Sequence, residues 1–234
     1  MNKNTTESDK DIFEVYSKRF KDENYAATYD KELMIGSTRE IPFRRRLIGS
    51  IVANLEKGAV SRLLKKTIGN SIIDIPCGSG KLNSVLNDTG CKIVSADASV
   101  HMLKFAQENC SEKFEFLLCD IRFIPLNDKT IDVVISNRFL HRISAENHGI
   151  VLKELYRISR RYAILYFASK TVITSMVIKL EEFFNFGNRG EIYYLERHKI
   201  IEDLKKNNWR YIKSVRTFPL ISTGYVFLVE KIDD

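Results

Sequence analysis

Apolar positions along the chain fall into two regimes. From about residue 10 to 68 they recur at helical spacing, first in Ile12-Phe13-Tyr16-Phe20 and again in Leu47-Ile48-Ile51-Val52-Leu55, with Pro42 near the start of the second run. This predicts a helical N-terminal cap. Short runs rich in branched residues follow: Ser71 to Ile75, Lys92 to Ala96, Phe114 to Cys119, Ile131 to Ser136 and Ala163 to Ala168. Between them, Lys81 to Asn87, Val100 to Asn109 and Ala145 to Ser159 carry helical periodicity, the last opened by Ser144 as an N-cap. Alternation of strand and helix predicts a parallel sheet with helices on both faces. The end of the chain differs. A helix from Glu196 to Asn207 precedes Trp209 to Arg216 and Gly224 to Lys231, joined by a short link through Pro219, and two strands so close in sequence pair antiparallel.

This reading divides the chain into a flexible tail (1–10) and one domain (11–234). The domain comprises a helical cap (11–68), a ligand-binding core (69–168), a lid (170–195) and a closing helix with a β-hairpin (196–234). The lid carries Val172, Met176, Leu180 and Phe183 at helical spacing, widened by Ile173, Val177 and Phe184. Such a stripe packs on the sheet, or covers an apolar or lipid-linked substrate, or makes a shallow membrane contact. Gly187 and Gly190 let it move, and Tyr193 and Tyr194 line it.

Composition adds limits. A chain of 234 residues that is 44% hydrophobic buries a full core, which argues against disorder and against a small disulfide scaffold. The four cysteines, Cys77, Cys91, Cys110 and Cys119, form no C-x-x-C pair, and the four histidines are scattered, so no structural metal is expected. The polar start and the lack of a long apolar run predict a cytoplasmic protein with free thiols. A formal charge of +7 favours an acidic partner and equally serves solubility.

The chemistry concentrates at strand ends. Asp74-Ile75-Pro76-Cys77-Gly78-Ser79-Gly80 sits where a strand gives way to a helix. Gly78 and Gly80 let the backbone bend and approach a bound nucleoside, while Asp74 offers a carboxylate to a ligand ammonium group. Asp97 ends the next strand at about the interval where an acid meets ribose hydroxyls in nucleotide-binding units. Asp120 ends the third and can accept a hydrogen bond from an adenine amino group. Each acid alone reads as a cap or turn residue; three at successive strand ends do not.

With these residues in place the chain resembles the class I S-adenosylmethionine-dependent methyltransferases, in particular the branch holding ubiquinone and menaquinone biosynthesis enzymes and small-molecule and glycan methyltransferases. The resemblance covers roughly residues 25 to 168. It rests on Asp74 to Gly80, on Ala96-Asp97-Ala98-Ser99 with Met102-Leu103, on Asp120 to Leu126 with Asp128, and on Ile131 to Asn137. It implies a Rossmann-like α/β fold with a mostly parallel seven-stranded sheet and an antiparallel C-terminal strand. It also implies S-adenosylmethionine as cofactor and S-adenosylhomocysteine as product. The glycine loop (Asp74, Pro76, Cys77, Gly78, Gly80) would hold the methionine part, Asp97 and Ala98 the ribose, and Asp120 and Ile121 the adenine, with Met102 and Asn137 nearby. Tyr29, in a Tyr-Asp element ahead of the loop, would lie over the cofactor, and Arg46, from the run Arg44 to Arg46, would reach its carboxylate or a substrate phosphate. Pro76 stands where a glycine is usual, and Asn83 replaces a third glycine.

Methyl transfer from a sulfonium needs alignment and exclusion of water more than a dedicated catalytic group. His141, after the fourth strand, is the candidate base, and Arg138 the candidate for positioning an acidic substrate group. The expected acceptor is a small molecule, a glycan or a lipid-linked molecule, with oxygen preferred over carbon or nitrogen, and peripheral membrane contact is a further possibility. The stretch Asn137-Arg138-Phe139 lacks the Asn/Asp-Pro-Pro-aromatic signature of amine-directed nucleic-acid methyltransferases, and Cys77, though preceded by proline, belongs to the glycine loop. A nucleic-acid substrate gains credit only if Arg157, Arg160, Arg161, Lys205, Lys206 and Arg210 form one stripe beside the cleft. A nicotinamide enzyme ranks lower, because Asp74 would oppose a pyrophosphate. A catalytically silent cofactor-binding or scaffold subunit is the rival outside catalysis. Oligomeric state is not readable from the chain.

Overall fold

The computed structural model describes residues 43–67, 69–108, 110–169, 175–176, 192–217 and 223–232, with side chains from Ser50 onward. The elements are α1 (Phe43–Leu64), β1 (Ser71–Asp74), α2 (Asn83–Asn87), β2 (Lys92–Asp97), α3 (Val100–Glu108), β3 (Phe114–Leu118) and β4 (Ile131–Ser136). After a 3₁₀ turn (Leu140–Arg142) come α4 (Ala145–Ile158), β5 (Ser159–Ala168), α5 (Arg197–Lys206), β6 (Trp209–Arg216) and β7 (Gly224–Lys231). All five predicted parallel strands and the closing pair are present. β5 begins four residues earlier than predicted, because the chain turns from helix straight into strand at Ser159.

One seven-stranded sheet has the order β3-β2-β1-β4-β5-β7-β6. β1 to β5 pair in parallel, whereas β7 inserts between β5 and β6 and runs antiparallel to both. β6 therefore points the same way as β5, and β7 alone is reversed. Because β2 lies on one side of β1 and β4 on the other, the winding reverses at β1/β4, and a crevice opens at the carboxyl ends of these strands.

Alternate residues of each strand feed opposite cores. Ile73, Val134, Leu165, Phe227 and Val229 pack with Val151, Leu152 and Leu155 of α4 and with Ile200 and Leu204 of α5. Ile72, Ile93, Ile135, Ile164 and Leu228 pack with Ala59, Val60 and Leu63 of α1 and with Leu86 of α2. Near-continuous apolar strands follow from this double cover. The buried face of α1 runs through Glu56, Ala59, Val60, Leu63 and Leu64, not through the predicted stripe: Ile51 is exposed and Val52 and Leu55 are only half-buried, since the second half of the helix is what crosses the sheet. Ser144 takes the N-cap position of α4 without bonding its backbone; its hydroxyl accepts instead from Asn147 Nδ2 (3.0 Å). Residues 11–42 of the predicted cap and most of the predicted lid lie outside the described residues.

Candidate cofactor site and acceptor edge

The glycine loop leaves β1 at the switch point. Ile75 N–H donates to Ile135 O (2.9 Å) and Cys77 N–H to Ala96 O (2.8 Å), so the loop starts as a continuation of the sheet between β4 and β2, through a cis Ile75–Pro76 bond. The two glycines then do different work. Both have positive φ, +55° at Gly78 and +77° at Gly80, which a side chain adopts only with strain. A Cβ on Gly80 would lie 3.0 Å from Ala106 Cα and against the Asn83 amide, so this glycine lets the loop close on α3. A Cβ on Gly78 would meet nothing within 4 Å, so this one faces open space, as a backbone that must touch a ligand does. Asn83 is the residue at the missing third glycine. Its amide donates to Ala106 O (2.7 Å), a buried tie between α2 and α3 that supplies by hydrogen bond the close approach a glycine would supply by absence.

Asp74 and Asp97 form the electrostatic centre. Asp97 Oδ2 accepts from Gly78 N–H (2.9 Å) and Oδ1 from Ser99 N–H (2.9 Å), so it shapes the loop and opens α3, where Ser99 Oγ caps Met102 N–H (3.3 Å). A carboxylate has about four lone-pair positions, which leaves capacity for a ligand hydroxyl. Asp74 is 1% exposed, and its Oδ1 has no partner among the described residues. Burial first, and Asp97 second, push Asp74 up to about 8. Burial likewise raises Asp97 to about 6, against the pull of N–H donors from Ser99, Gly78 and Ala98. Two buried acids side by side make this the most electronegative part of the strand-end edge among the described residues.

The remaining predicted cofactor residues fall into place unevenly. Asp120, just past β3, is held by Arg122: the backbone N–H donates to Oδ1 (2.8 Å) and the guanidinium engages both oxygens. Arg122 was not singled out from sequence, though an Asp two residues before an Arg at a strand end is a local pairing signal. Met102 and Ile121 are buried, and Ala98 is half-buried. Cys77 is buried against Leu103 and Ala106, and burial and the nearby Asp97 raise its thiol well above the ordinary range, which favours the protonated form. Tyr29 lies outside the described residues, as does the side chain of Arg46 on α1.

On the other side of the switch point, β4 is followed by Asn137-Arg138. Arg138 has φ +57°, a strained value for a residue with a side chain. Both residues reach Glu56 of α1: Asn137 Nδ2 donates to Oε1 (2.7 Å) and Arg138 Nε to Oε2 (2.8 Å). Glu56 is 4% exposed and was missed by the sequence reading. A single charge at helical spacing from Val52, Ala59, Val60 and Leu63 was the available signal. His141 sits in the 3₁₀ turn, buried, with Nδ1 unpartnered among the described residues and its ring 4.9 Å from that of Tyr166. Burial, then Arg142 and Arg138, lower its pKa well below the usual value, so the imidazole is neutral at neutral pH. Tyr166 is pushed up to about 12 by burial and by Glu56, and keeps its proton. Tyr193 N–H donates to His141 O (2.9 Å) and Tyr194 bridges to Ala168, which brings both tyrosines to this edge.

Six basic residues that a nucleic-acid reading needs beside the cleft lie elsewhere. Arg157, Arg160, Arg161, Lys205, Lys206 and Arg210 end helices α4 and α5 or begin β5 and β6, which puts them at the opposite edge of the sheet. There Arg157 pairs with Glu154 and Asp128, Arg160 with Asp132, and Arg161 and Arg210 with Glu230. Among the described residues no cluster of three or more His, Cys, Asp or Glu is arranged to hold a metal ion, and no helix is long and apolar enough to cross a membrane.

Residues 73–167 match the family model described as a methyltransferase domain. Malonyl-(acyl-carrier protein) O-methyltransferase of Hamiltonella defensa is 31% identical over 120 residues, which is 50% of this chain and 45% of that protein. A demethylmenaquinone methyltransferase of Clavibacter sepedonicus is 28% identical over 102 residues, 43% of this chain and 41% of that one. The chain thus aligns with under half the length of these relatives. Among solved structures, magnesium protoporphyrin IX methyltransferase of Synechocystis PCC 6803, crystallised with bound SAH, superposes with a TM-score of 0.71 at 20% identity, covering 94% of this chain and 100% of that one. The match of residues 73–167 to the methyltransferase-domain model, the relatives and the strand order together support a class I S-adenosylmethionine-dependent methyltransferase.

Proposed function

We propose that the protein methylates a small-molecule acceptor with S-adenosylmethionine as donor. The observation that carries this reading is the buried Asp74/Asp97 pair beside the open face of Gly78, with Asp74 Oδ1 unpartnered among the described residues. An isolated buried carboxylate is costly, and here two are kept side by side with no cationic side chain bonded to either among the described residues. A ligand that brings an ammonium group and ribose hydroxyls fits both: the ammonium at Asp74, the hydroxyls at the free lone pairs of Asp97. The pyrophosphate of a nicotinamide nucleotide would face Asp74 and is disfavoured, and a scaffold has no use for the cost of the pair.

The bound cofactor supplies an electrophilic methyl group; the protein supplies alignment and exclusion of water. Its candidate acceptor side is the edge formed by Asn137, Arg138, His141 and Tyr166, with Tyr193 and Tyr194 beside it. His141, with Nδ1 unpartnered among the described residues, is the group of this edge that could accept a hydrogen bond or a proton from an acceptor hydroxyl. The relatives' own acceptors, a malonyl group on a carrier protein in one and a porphyrin in another, support a small-molecule acceptor and extend to a carrier- or lipid-linked one. The paired arginines on the far edge speak against nucleic acid.

Titration calorimetry of the full chain with S-adenosylmethionine, S-adenosylhomocysteine and NAD tests the assignment. Binding of both sulfur nucleosides, absence of NAD binding, and a loss of at least about tenfold in Asp97→Ala are expected, in line with removal of hydrogen bonds to a charged group. Folded protein that binds neither nucleoside would overturn the reading.

A further inference from the structure

The Glu56 bonds have a consequence for the polarity of the site. A carboxylate only accepts hydrogen bonds, so an asparagine beside it must present its amide nitrogen. With Nδ2 committed to Glu56, Asn137 Oδ1 points away from α1; it is buried and unpartnered among the described residues. Asp74 Oδ1 is in the same condition on the neighbouring strand, Asp74 being in register with Ile135, two residues before Asn137. Asp74 continues the strand face that carries Ile72, and Ile72 packs with the core under α1. Asn137 reaches toward that same helix, so both side chains serve the face that α1 covers. Two open acceptors at adjacent strand ends call for one donor-rich ligand group. Glu56 also accepts from Arg138, whose backbone is left-handed, so a single side chain from the cap bonds both residues after β4.

We infer that Glu56 is a positioning residue of the cofactor site: by fixing the Asn137 amide it turns Oδ1 inward, so that Asp74 and Asn137 together accept the ammonium group of the cofactor's amino-acid end. This rests on the cofactor assignment proposed above. It makes the cap helix α1 part of the site's polarity and not only of its cover. It also sets apart two kinds of ligand, because a nucleoside without the amino-acid end has nothing to give these oxygens.

The test is calorimetry on the full chain with S-adenosylhomocysteine and with methylthioadenosine, which lacks the ammonium group. In Glu56→Gln the new amide donates where only acceptance was possible, and Asn137 satisfies it by flipping, which turns Nδ2 into the site. S-adenosylhomocysteine affinity should fall roughly ten- to a hundredfold, while methylthioadenosine changes by about twofold or less. Glu56→Gln combined with Asn137→Asp restores an inward oxygen: the amide now at position 56 donates to the carboxylate now at position 137 and accepts from Arg138. Most of the loss should then return. Equal losses for both nucleosides, no loss at all, or no recovery in the double variant would each overturn the inference. If Glu56→Gln melts below the assay temperature, Glu56→Asp, which draws the same acceptors back by one methylene, is read by the same comparison of nucleosides. Wild-type protein that binds neither nucleoside fails at the cofactor assignment instead, and so separates the two.

Discussion

At the scale of single residues, the site is built from groups that the fold would rather not keep. Asp74 has its pKa raised from 3.8 to about 8 by burial, so the folded state holds a proton that the unfolded chain has lost over most of that interval. Stability attributable to this group is therefore full below about pH 4 and declines as pH rises toward 8, by up to about 1.4 kcal/mol per pH unit. Asp74→Asn removes the decline. Urea denaturation at about pH 5, 7 and 8.5 should show the variant gaining on the wild type as pH rises, by roughly 1–4 kcal/mol at the top of the range, while S-adenosylhomocysteine binding is lost. A constant difference across pH would exclude Asp74 as the group that titrates. Asp97 adds a smaller effect of the same sign below about 6. Glu56, Asn83 and Arg122 show the converse: polar residues that orient backbone or neighbours, each identified by the partner it finds.

At the scale of elements, strand ends matter more than strand bodies. β1, β2 and β4 deliver Asp74, Asp97 and Asn137 to one edge because parallel strands align their carboxyl ends. The opposite edge is held by structural pairs. Asp132, at the start of β4, accepts from Asn70 N–H, Ser71 N–H and Ser71 Oγ, and so fastens the start of β1; its place in the recognised Ile131 to Asn137 stretch is architectural. Arg157 clamps the loop after β3 through Ile124 O and Leu126 O. Trp209 joins β6 to α4: it is fully buried, its indole N–H donates to Leu152 O (3.2 Å), and its ring meets Tyr156 edge-on at 5.5 Å. Trp209→Ala should cost about 3–5 kcal/mol in urea denaturation, a large share of the stability of a domain this size. A loss under about 1 kcal/mol would show that β6 contributes little to the cooperative core.

For the whole molecule, the charge of +7 is spread widely: among the described residues Arg157, Arg160, Arg161, Lys205, Lys206 and Arg210 lie at the edge away from the glycine loop. Arg161 and Arg210 both satisfy Glu230, whose pKa is lowered first by Arg210 and then by Arg161, on the edge away from the glycine loop. Such exposed pairs are worth about 0–1 kcal/mol. Arg161→Ser with Arg210→Ser should leave S-adenosylhomocysteine affinity within about twofold at low and high salt, as calorimetry at two ionic strengths would record. A change of about tenfold would mean that the far edge communicates with the site.

Sequence alone determined the strand and helix sequence, the reversal of one closing strand, and the ordered acids, because hydrophobic period and glycine placement are local and survive without tertiary context. It also identified Gly78, Gly80, Asp74 and Asp97 as one constellation, since all four lie at the ends of two consecutive predicted strands. It gave no account of which face of α1 meets the sheet, because an apolar run near Ile51 and one near Leu63 look alike until the length of covered strand is known. Nor did it reveal Glu56: the partners of that carboxylate lie 81 and 82 residues away, and burial with satisfaction is a property of contacts that only the folded chain makes. Tertiary structure likewise decided that six basic residues belong to the far edge, because strand direction, not sequence position, assigns a residue to one end of a parallel sheet.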